Sequence, residues 1–337
     1  MNTDQELKNN LFIQRNSCPA CENIDYTELY KCKFDDEPVK SYLENFYGNQ
    51  GKIEMNFLKN EYFDVRRCSK CNLVYQNTIL GDYLMHKLYE EWIDPKITIN
   101  EFETKYPLDY YLSNAKLIVK LIGLFNKKPS ELSFFDFGMG WGNWASLVRS
   151  FGVKSYGLEL SEARIAHAKN IGINVIDWKN LSNFEFDYIN TDQVFEHIPN
   201  PRETLLYLAK SLKKGGIIRI SVPNGNNIQE QLKTMDWTAP KGHKNSLNTI
   251  APLEHINCFN TKSIIKMAES TGLKWNYLSY YPCIEYKEKA LTTKEKINIS
   301  FELLRDGVRP IYRFCKNLIG KKYIPQPYGT NLFFTKE

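Results

Sequence analysis

Two spacings of apolar residues alternate along the second half of the chain. Short apolar runs at residues 132–137, 173–176, 186–191 and 217–222 have the length of buried strands. Residues 144–151, which lie between the first two runs, carry the spacing of an amphipathic helix. Strands that alternate with helices predict parallel, right-handed crossovers and therefore an α/β fold with a doubly wound sheet.

Helix boundary signals refine this prediction. Asn200-Pro201-Arg202-Glu203 predicts a helix start, with Asn200 as N-cap and Glu203 completing a capping box, and Lys213-Lys214-Gly215-Gly216 predicts the end of that helix. Asn260 is the predicted cap of a further helix over residues 261–271. Residues 108–125 also have helical periodicity, and residues 274–281 and 330–336 predict the last two strands.

A glycine turn follows the first of these strands. Gly138, Gly140 and Gly142 bring backbone N–H groups and a helix N-terminus close to a ligand. A dinucleotide fingerprint requires its third glycine at the position that Asn143 occupies. Asp136 is unfavourable beside a pyrophosphate but suits a cationic amine, such as that of S-adenosylmethionine (SAM). Glu159 ends a further strand, predicted in the stretch Ser-Tyr-Gly-Leu-Glu-Leu at residues 155–160, and suits a ribose in either cofactor.

The Asp-x-Gly-x-Gly-x-Gly stretch at 136–142 resembles the first motif of class I SAM-dependent methyltransferases, and residues 192–199 resemble the fourth motif of that family. The resemblance implies SAM as cofactor and an antiparallel final strand. It also implies that Asp177 meets the adenine amino group and that Trp178 meets the adenine face. The implied cofactor-binding residues are Asp136, Gly138, Gly140, Gly142, Glu159, Leu160, Asp177, Trp178, Asp192 and Gln193.

Four cysteines in the N-terminal part form two Cys-x-x-Cys pairs. Cys18, Cys21, Cys68 and Cys71 have the spacing of a tetrahedral structural zinc site. Reduced cysteines without metal, or disulfides, are the alternatives, and Cys32 is a possible substitute ligand. Disulfides are disfavoured in a cytosolic enzyme. Cys32, Cys258, Cys283 and Cys315 lack a partner at metal spacing and are expected to be buried small residues.

Composition and charge exclude several classes of function. The formal charge of +5 comes from 44 basic and 39 acidic residues spread along the chain, which predicts a solvated surface and no nucleic-acid partner. No run approaches the roughly 18 apolar residues of a transmembrane segment. Residues 1–18 lack the apolar region of a signal peptide, so the expected location is cytoplasmic.

These features predict three regions. Residues 1–80 form a zinc-ribbon-like module, residues 81–130 an aromatic helical lid or linker, and residues 131–337 the methyltransferase domain with a basic insert at 283–329. Tyr110 and Tyr111 either cover the active site or pack in the core. The insert is a solvated helix packed on the sheet, a pocket lining for an acidic substrate, or a membrane contact.

A Glu-His pair precedes the helix at residue 261. Glu254-His255 resembles the corresponding pair of zinc-containing sugar C-methyltransferases, which act on nucleotide-linked keto sugars. The resemblance implies that the pair removes a proton from the carbon beside the ketone, and an imidazole has a suitable pKa for this. His255 is the candidate base, and Glu254 orients it or binds a sugar hydroxyl. His197, in the fourth motif, is expected to hold the enolate oxygen or to share the proton.

We therefore expect methyl transfer from SAM to a small-molecule acceptor. The preferred acceptor is a sugar or nucleotide-linked sugar of polysaccharide or secondary metabolism, methylated on carbon or oxygen. One alternative is an O- or N-methyltransferase of another small metabolite, which needs no strong base. The other is a non-catalytic, zinc-containing binding module, against which the intact Asp136, Glu159 and glycines argue.

Overall fold

The chain was analysed as a computed structural model, in which residues 10–48, 51–93, 108–240, 243–276 and 329–337 are described. The N-terminal part contains β1 (Phe12–Gln14), β2 (Tyr26–Lys33), α1 (Val39–Gly48), β3 (Tyr62–Cys68), β4 (Val74–Gln76), β5 (Thr78–Leu80) and α2 (Asp82–Lys87). The next elements are α3 (Leu108–Phe125), β6 (Ser133–Phe137), α4 (Asn143–Ser150), β7 (Lys154–Leu158), α5 (Glu162–Asn170) and β8 (Asn174–Val175). The last are β9 (Phe186–Asp192), α6 (Pro201–Lys210), β10 (Leu212–Pro223), α7 (Ile228–Thr234), β11 (Asn257–Cys258), α8 (Thr261–Glu269), β12 (Leu273–Asn276) and β13 (Gly329–Lys336).

A seven-stranded sheet forms the centre of the molecule. Its order is β12-β13-β10-β9-β6-β7-β8, and β10, β9, β6, β7 and β8 run parallel. β13 lies antiparallel between β10 and β12, as the family resemblance implied. Helices α4 to α6 connect successive parallel strands, so the predicted doubly wound α/β fold is confirmed. The carboxyl ends of β6, β7 and β9 therefore lie at one edge of the sheet.

Burial on both faces explains why the sequences of these strands are continuous apolar runs. β9 has all but its last residue buried, because parallel strands at the centre of a sheet are covered on both faces. The rings of Phe135 on β6 and Phe186 on β9 stack with centroids 4.7 Å apart. Leu205 and Leu208 of α6 and Ile264 of α8 belong to the same buried cluster. The apolar faces of these helices thus cover the sheet.

The N-terminal part forms a second, smaller sheet that takes one strand from the other half of the chain. Its order is β11-β4-β3-β2, and β11 pairs antiparallel with β4. Beside it, α1 buries Val39, Leu43 and Tyr47 in one hydrophobic cluster with Ile250 and Leu253. The module therefore shares both a sheet and a core with the later segment. The boundaries at residues 80 and 130 stay predictions.

Two of the boundary signals were wrong and others were confirmed. The helix at Pro201 ends at Lys210, and Leu212 already pairs with Phe186, so Lys213 to Gly216 form an irregular part of β10. Asn200 precedes α6 but makes no side-chain capping bond, so the predicted capping box with Glu203 does not form; its backbone angles are φ −120° and ψ 70°. Asn260 does cap α8, and the helix over residues 108–125 is confirmed.

Several predicted features lie outside the described residues. They are the end of the strand predicted over 274–281, residues 283–328 of the basic insert predicted at 283–329, Cys283 and Cys315. Within the described ranges, every helix is too short or too polar to cross a lipid bilayer.

Candidate functional site

The glycine turn between β6 and α4 has the geometry that its sequence predicts. Gly138, Gly140 and Gly142 have φ of 71°, 56° and 82°, a region that favours glycine. A Cβ on Gly138 would lie 2.6 Å from a methyl carbon of Val194, so the turn packs closely on the loop after β9. A Cβ on Gly140 would meet nothing within 4 Å. Open space therefore remains beside the middle glycine, next to the N-terminus of α4.

Asp136 lies at the end of β6 and is buried. Asn190 Nδ2 on the neighbouring β9 donates a hydrogen bond of 2.8 Å to Asp136 Oδ1. Burial raises the pKa of Asp136 to about 7, and the hydrogen bond from Asn190 opposes this rise. A cationic group placed beside this carboxyl would favour its ionised form. Asp136 thus suits a ligand amine, and Asn190 is a partner that sequence reasoning missed.

Glu159 follows the neighbouring strand β7 and accepts hydrogen bonds at the glycine turn. One of its carboxylate oxygens accepts from Gly140 N at 2.9 Å, and the other accepts from Leu160 N at 2.9 Å and Ser161 N at 3.2 Å. Arg164 lies 3.8 Å from the same carboxylate. Glu159 is thus held at the C-terminal edge of the sheet against the glycine turn.

The other predicted cofactor residues occupy the same edge. Asp177 is exposed and accepts from Lys179 N at 3.0 Å, whereas Trp178 packs on Phe137 with ring centroids 5.6 Å apart. The side chain of Leu160 is exposed. Asp192 ends β9, 3.6 Å from Arg219, and Gln193 follows it with φ 56°. Tyr111, on α3, is 39% exposed and contacts the ring of Tyr110.

Two histidines that are far apart in the chain meet beside this loop. The rings of His197 and His255 have centroids 4.8 Å apart. His197 lies three residues after Val194, the residue that packs on the glycine turn. The buried Glu196 has a carboxylate oxygen 3.9 Å from His197 Nε2. The two imidazoles and this carboxylate are close enough to share a proton or a cation.

Backbone carbonyls define the tautomer of both rings. His197 Nδ1 lies 2.9 Å from the carbonyl oxygen of Glu254 and 3.0 Å from the hydroxyl of Tyr89. His255 Nδ1 lies against the carbonyl oxygen of Asn248. Because a carbonyl only accepts, each neutral ring carries its proton on Nδ1 and its lone pair on Nε2. The partners Asn248 and Tyr89 have no signal in the sequence.

Tyrosines of the N-terminal part surround Glu254. Burial raises the pKa of Tyr47, on α1, and the nearby charge of Glu254 adds to the rise. Tyr42 on the same helix has its pKa raised by the same two causes. Tyr47 also donates a hydrogen bond of 3.4 Å to the carbonyl of Pro252. The N-terminal module thus contributes side chains to the surroundings of the Glu254-His255 pair.

A half-buried arginine connects the module to both histidine segments. Arg15 donates to the Pro199 carbonyl at 2.9 Å and to Asn257 Oδ1 at 2.9 Å. Asn257 Nδ2 in turn donates to the carbonyls of Phe195 at 3.0 Å and Ile198 at 2.7 Å. Burial lowers the pKa of Arg15 to about 9. Arg15 and Asn257 therefore fix the loop of His197 against the strand that follows His255.

The four cysteines converge as their spacing predicts. Cys18 and Cys71 Sγ lie 3.5 Å apart, as do Cys21 and Cys68 Sγ, and the four sulfurs lie within 4.8 Å of one another. A tetrahedral zinc site, with Zn–S bonds of about 2.3 Å, has sulfurs about 3.8 Å apart. The hydrogen bond between the Cys18 and Cys71 thiols lowers the pKa of Cys71 and raises that of Cys18, so Cys71 is the member of the pair that ionises first. The set fits zinc, whereas Cys32 lies outside it.

Comparison with known proteins found a matching family and several similar solved structures. Residues 110–277 match a family described as a methyltransferase domain. The plantazolicin methyltransferase BpumL in complex with SAH is similar over 75% of this chain and 94% of its own, with 18% identity and a TM-score of 0.46. A complex of BpumL with a triazolic desmethylPZN analog and SAH is 27% identical over 47% of this chain and 62% of its own, with a TM-score of 0.36.

A TehB-like SAM-dependent methyltransferase from Corynebacterium glutamicum ATCC 13032 is similar over 76% of this chain and all of its own, with 14% identity and a TM-score of 0.38. The family match, the sheet order and the glycine turn agree on one identity. The chain carries a class I SAM-dependent methyltransferase domain and is a SAM-dependent methyltransferase.

Proposed function

We propose that this enzyme methylates a sugar or a nucleotide-linked sugar in polysaccharide or secondary metabolism, with a carbon beside a ketone as the preferred acceptor atom. The observation that carries the proposal is the His197–His255 pair, whose centroids are 4.8 Å apart next to the loop that packs on the glycine turn. A hydroxyl acceptor needs only positioning, whereas a carbon acceptor needs a base. Two imidazoles with Nε2 lone pairs supply that base.

SAM supplies an electrophilic methyl group, and the chain orients it and excludes water. In our proposal Asp136 binds the amino group of the methionine part, and Gly138, Gly140 and Gly142 form the surface beside it. Glu159 and Leu160 hold the ribose. Asp177 and Trp178 contact the adenine, and Asp192 and Gln193 close the pocket from β9. The raised pKa of Asp136 supports its part of this assignment, since a cationic ligand would stabilise its ionised form.

His255 acts as the base in this proposal. Its Nδ1–H donates a hydrogen bond to the Asn248 carbonyl, so Nε2 takes the proton from the acceptor carbon. The electron pair of that C–H bond then forms the C=C bond of an enolate, and the π pair of the C=O bond moves to the ketone oxygen. His197 lies beside the developing negative charge. The acceptor carbon then bonds to the methyl group while the sulfur keeps the electrons of its bond. Glu254 orients the site or binds a sugar hydroxyl.

Zinc at the four cysteines is a second part of the proposal, supported by their sulfur spacing. The metal is structural, because four sulfurs complete a tetrahedron and leave no position for a substrate. A cytoplasmic location, where thiols stay reduced, belongs to the same proposal. We expect one zinc per chain by elemental analysis. A second metal per chain would instead assign the histidine cluster to a cation and argue against His255 as a base.

The decisive experiment measures transfer from labelled SAM to a panel of nucleotide-linked keto sugars and their alcohol counterparts. Without methyl transfer, in the presence of SAH and D₂O, the wild-type enzyme should exchange deuterium into the carbon beside the ketone. His255→Ala should abolish this exchange and lower turnover by about 10²–10⁴. The matched control is His86→Ala, because His86 is an exposed histidine on α2.

Each result has a distinct meaning. Full turnover by His255→Ala on an alcohol acceptor, without exchange on any ketone, would refute carbon methylation and favour the O- or N-methyltransferase alternative. Absence of turnover with every sugar, while SAH still binds, would refute the sugar acceptor. Loss of SAH binding in His255→Ala would show that the substitution disturbs the fold, and His255→Gln would then replace it.

A further inference from the structure

A cavity of about 480 Å³ lies between helix α1 and residues 236–248. This volume is within the range of about 300–1,000 Å³ that is usual for sites that bind small molecules. Its walls come from two distant parts of the chain, the N-terminal module and the segment before the Glu254-His255 pair. None of the predicted site residues lines it.

Two residues that line the cavity also interact with the Glu254-His255 pair. Asn248 lines the cavity, and its carbonyl oxygen accepts the hydrogen bond from His255 Nδ1. Tyr42 lines it from α1, and the charge of Glu254 acts on its hydroxyl. A molecule in the cavity would therefore be separated from His255 by Asn248 and from Glu254 by Tyr42.

The lining combines aromatic rings with neutral polar groups. Trp237 and Tyr42 meet edge to face with centroids 5.3 Å apart, and Phe46 stacks on Tyr42 at 5.5 Å. Ser41 and Asn45 lie one helical turn apart on α1, so both face the same side. Aromatic rings suit the C–H face of a ring, while hydroxyl and amide groups suit its hydroxyls.

The charge of the lining discriminates between parts of a substrate. Among the lining residues, all of which belong to the described ranges, Asp236 is the only charged one. A phosphate placed here would meet this carboxylate, and the described lining residues include no arginine or lysine to neutralise it. Because this carboxylate already accepts from the backbone N–H and the hydroxyl of Thr238, the cavity favours a ligand without negative charge.

We propose that this cavity binds the uncharged, hydroxylated ring of the acceptor, with Tyr42 and Trp237 against the ring and any phosphate group left outside. The inference rests on the proposed function in one respect, because it takes the bound ring to be the methyl acceptor or a sugar attached to it. It adds that the N-terminal module is part of the substrate site. Sugar recognition then does not depend on a nucleotide.

The test uses methyl glycosides of neutral hexoses and 6-deoxyhexoses, and the same sugars as 1-phosphates. Saturation-transfer NMR on the full chain with SAH should show magnetisation reaching the ring C–H groups of the methyl glycosides. Ser41→Trp, which fills the cavity from an exposed helix position, should weaken this binding at least tenfold. Glu44→Trp is the matched control, because Glu44 lies on the same helix and outside the lining. SAH affinity should stay unchanged in both variants.

The outcomes separate this inference from the proposed function. Equal glycoside binding by Ser41→Trp and the wild type, or binding of the 1-phosphates alone, would overturn the cavity assignment even if a sugar is methylated. Glycoside binding that Ser41→Trp removes would uphold the assignment even if every sugar fails as an acceptor. Asn45→Leu, which replaces a polar lining group, should also weaken binding and serves if Ser41→Trp loses SAH binding.

Discussion

Replacement of Asp136 by asparagine tests the cofactor pocket most directly. The folded protein raises the pKa of this carboxyl to about 7 because it is buried, and only the ionised form attracts the amine of SAH. With that pKa, about 3% of Asp136 is ionised at pH 5.5 and about half at pH 7.0. The amine of SAH stays mostly protonated over this interval, since α-amino groups have a pKa of about 7.7–8.0. Wild-type affinity should therefore rise about fifteenfold from pH 5.5 to 7.0.

Isothermal titration calorimetry with SAH measures this dependence. Asp136→Asn keeps the shape of the side chain, and its affinity should be weak and nearly independent of pH. The same raised pKa predicts that the ligand-free protein loses stability as pH rises from about 4 to 7, because the protonated form is favoured in the folded state. This loss should also disappear in the variant. A wild-type affinity that falls or stays level across the interval would refute the proposed contact between Asp136 and the amine.

Three further substitutions have distinct expected results. Gly138→Ala should weaken SAH binding and lower the thermal midpoint, because its Cβ would lie 2.6 Å from Val194, whereas Gly48→Ala, with open space around it, should change neither. Arg15→Lys should lower kcat with little change in SAH affinity, because it loses the fork that joins Pro199 to Asn257; equal kcat would contradict this positioning role. Asp187→Asn should lower the free energy of unfolding by about 1–3 kcal/mol at pH 7 and less at pH 3, measured by urea denaturation, because Lys213 and Lys127 hold its pKa down against the effect of burial.

Local sequence signals predicted the features that depend on neighbouring residues. The strands around Asp136, the glycine turn and the Asn260 cap follow from periodicity and from the conformational preferences of single residues. The helix end predicted at Lys213–Gly216 was wrong, because basic residues followed by glycine also suit an irregular strand that pairs with β9. Tertiary pairing there outweighed the local helix-end signal.

Contacts between distant segments had no such signal. Arg15 reaches Asn257, and Tyr89 reaches His197, across long stretches of chain. Asn248 acts through its backbone carbonyl, a group that every residue has, so its side chain does not mark the position. The role of each residue depends on the folded arrangement of the loops.

The pairing of β11 with β4 limits where the chain can be truncated or recombined. A shortened polypeptide that begins after residue 80 would leave Asn257 and Cys258 with an open strand edge and would expose Ile250 and Leu253, which pack against α1 in the full chain. Such a fragment should aggregate when expressed, and a transplanted catalytic half should fail with a foreign N-terminal region. Evolutionary recombination is therefore expected to transfer residues 1–80 and the rest of the chain as one unit.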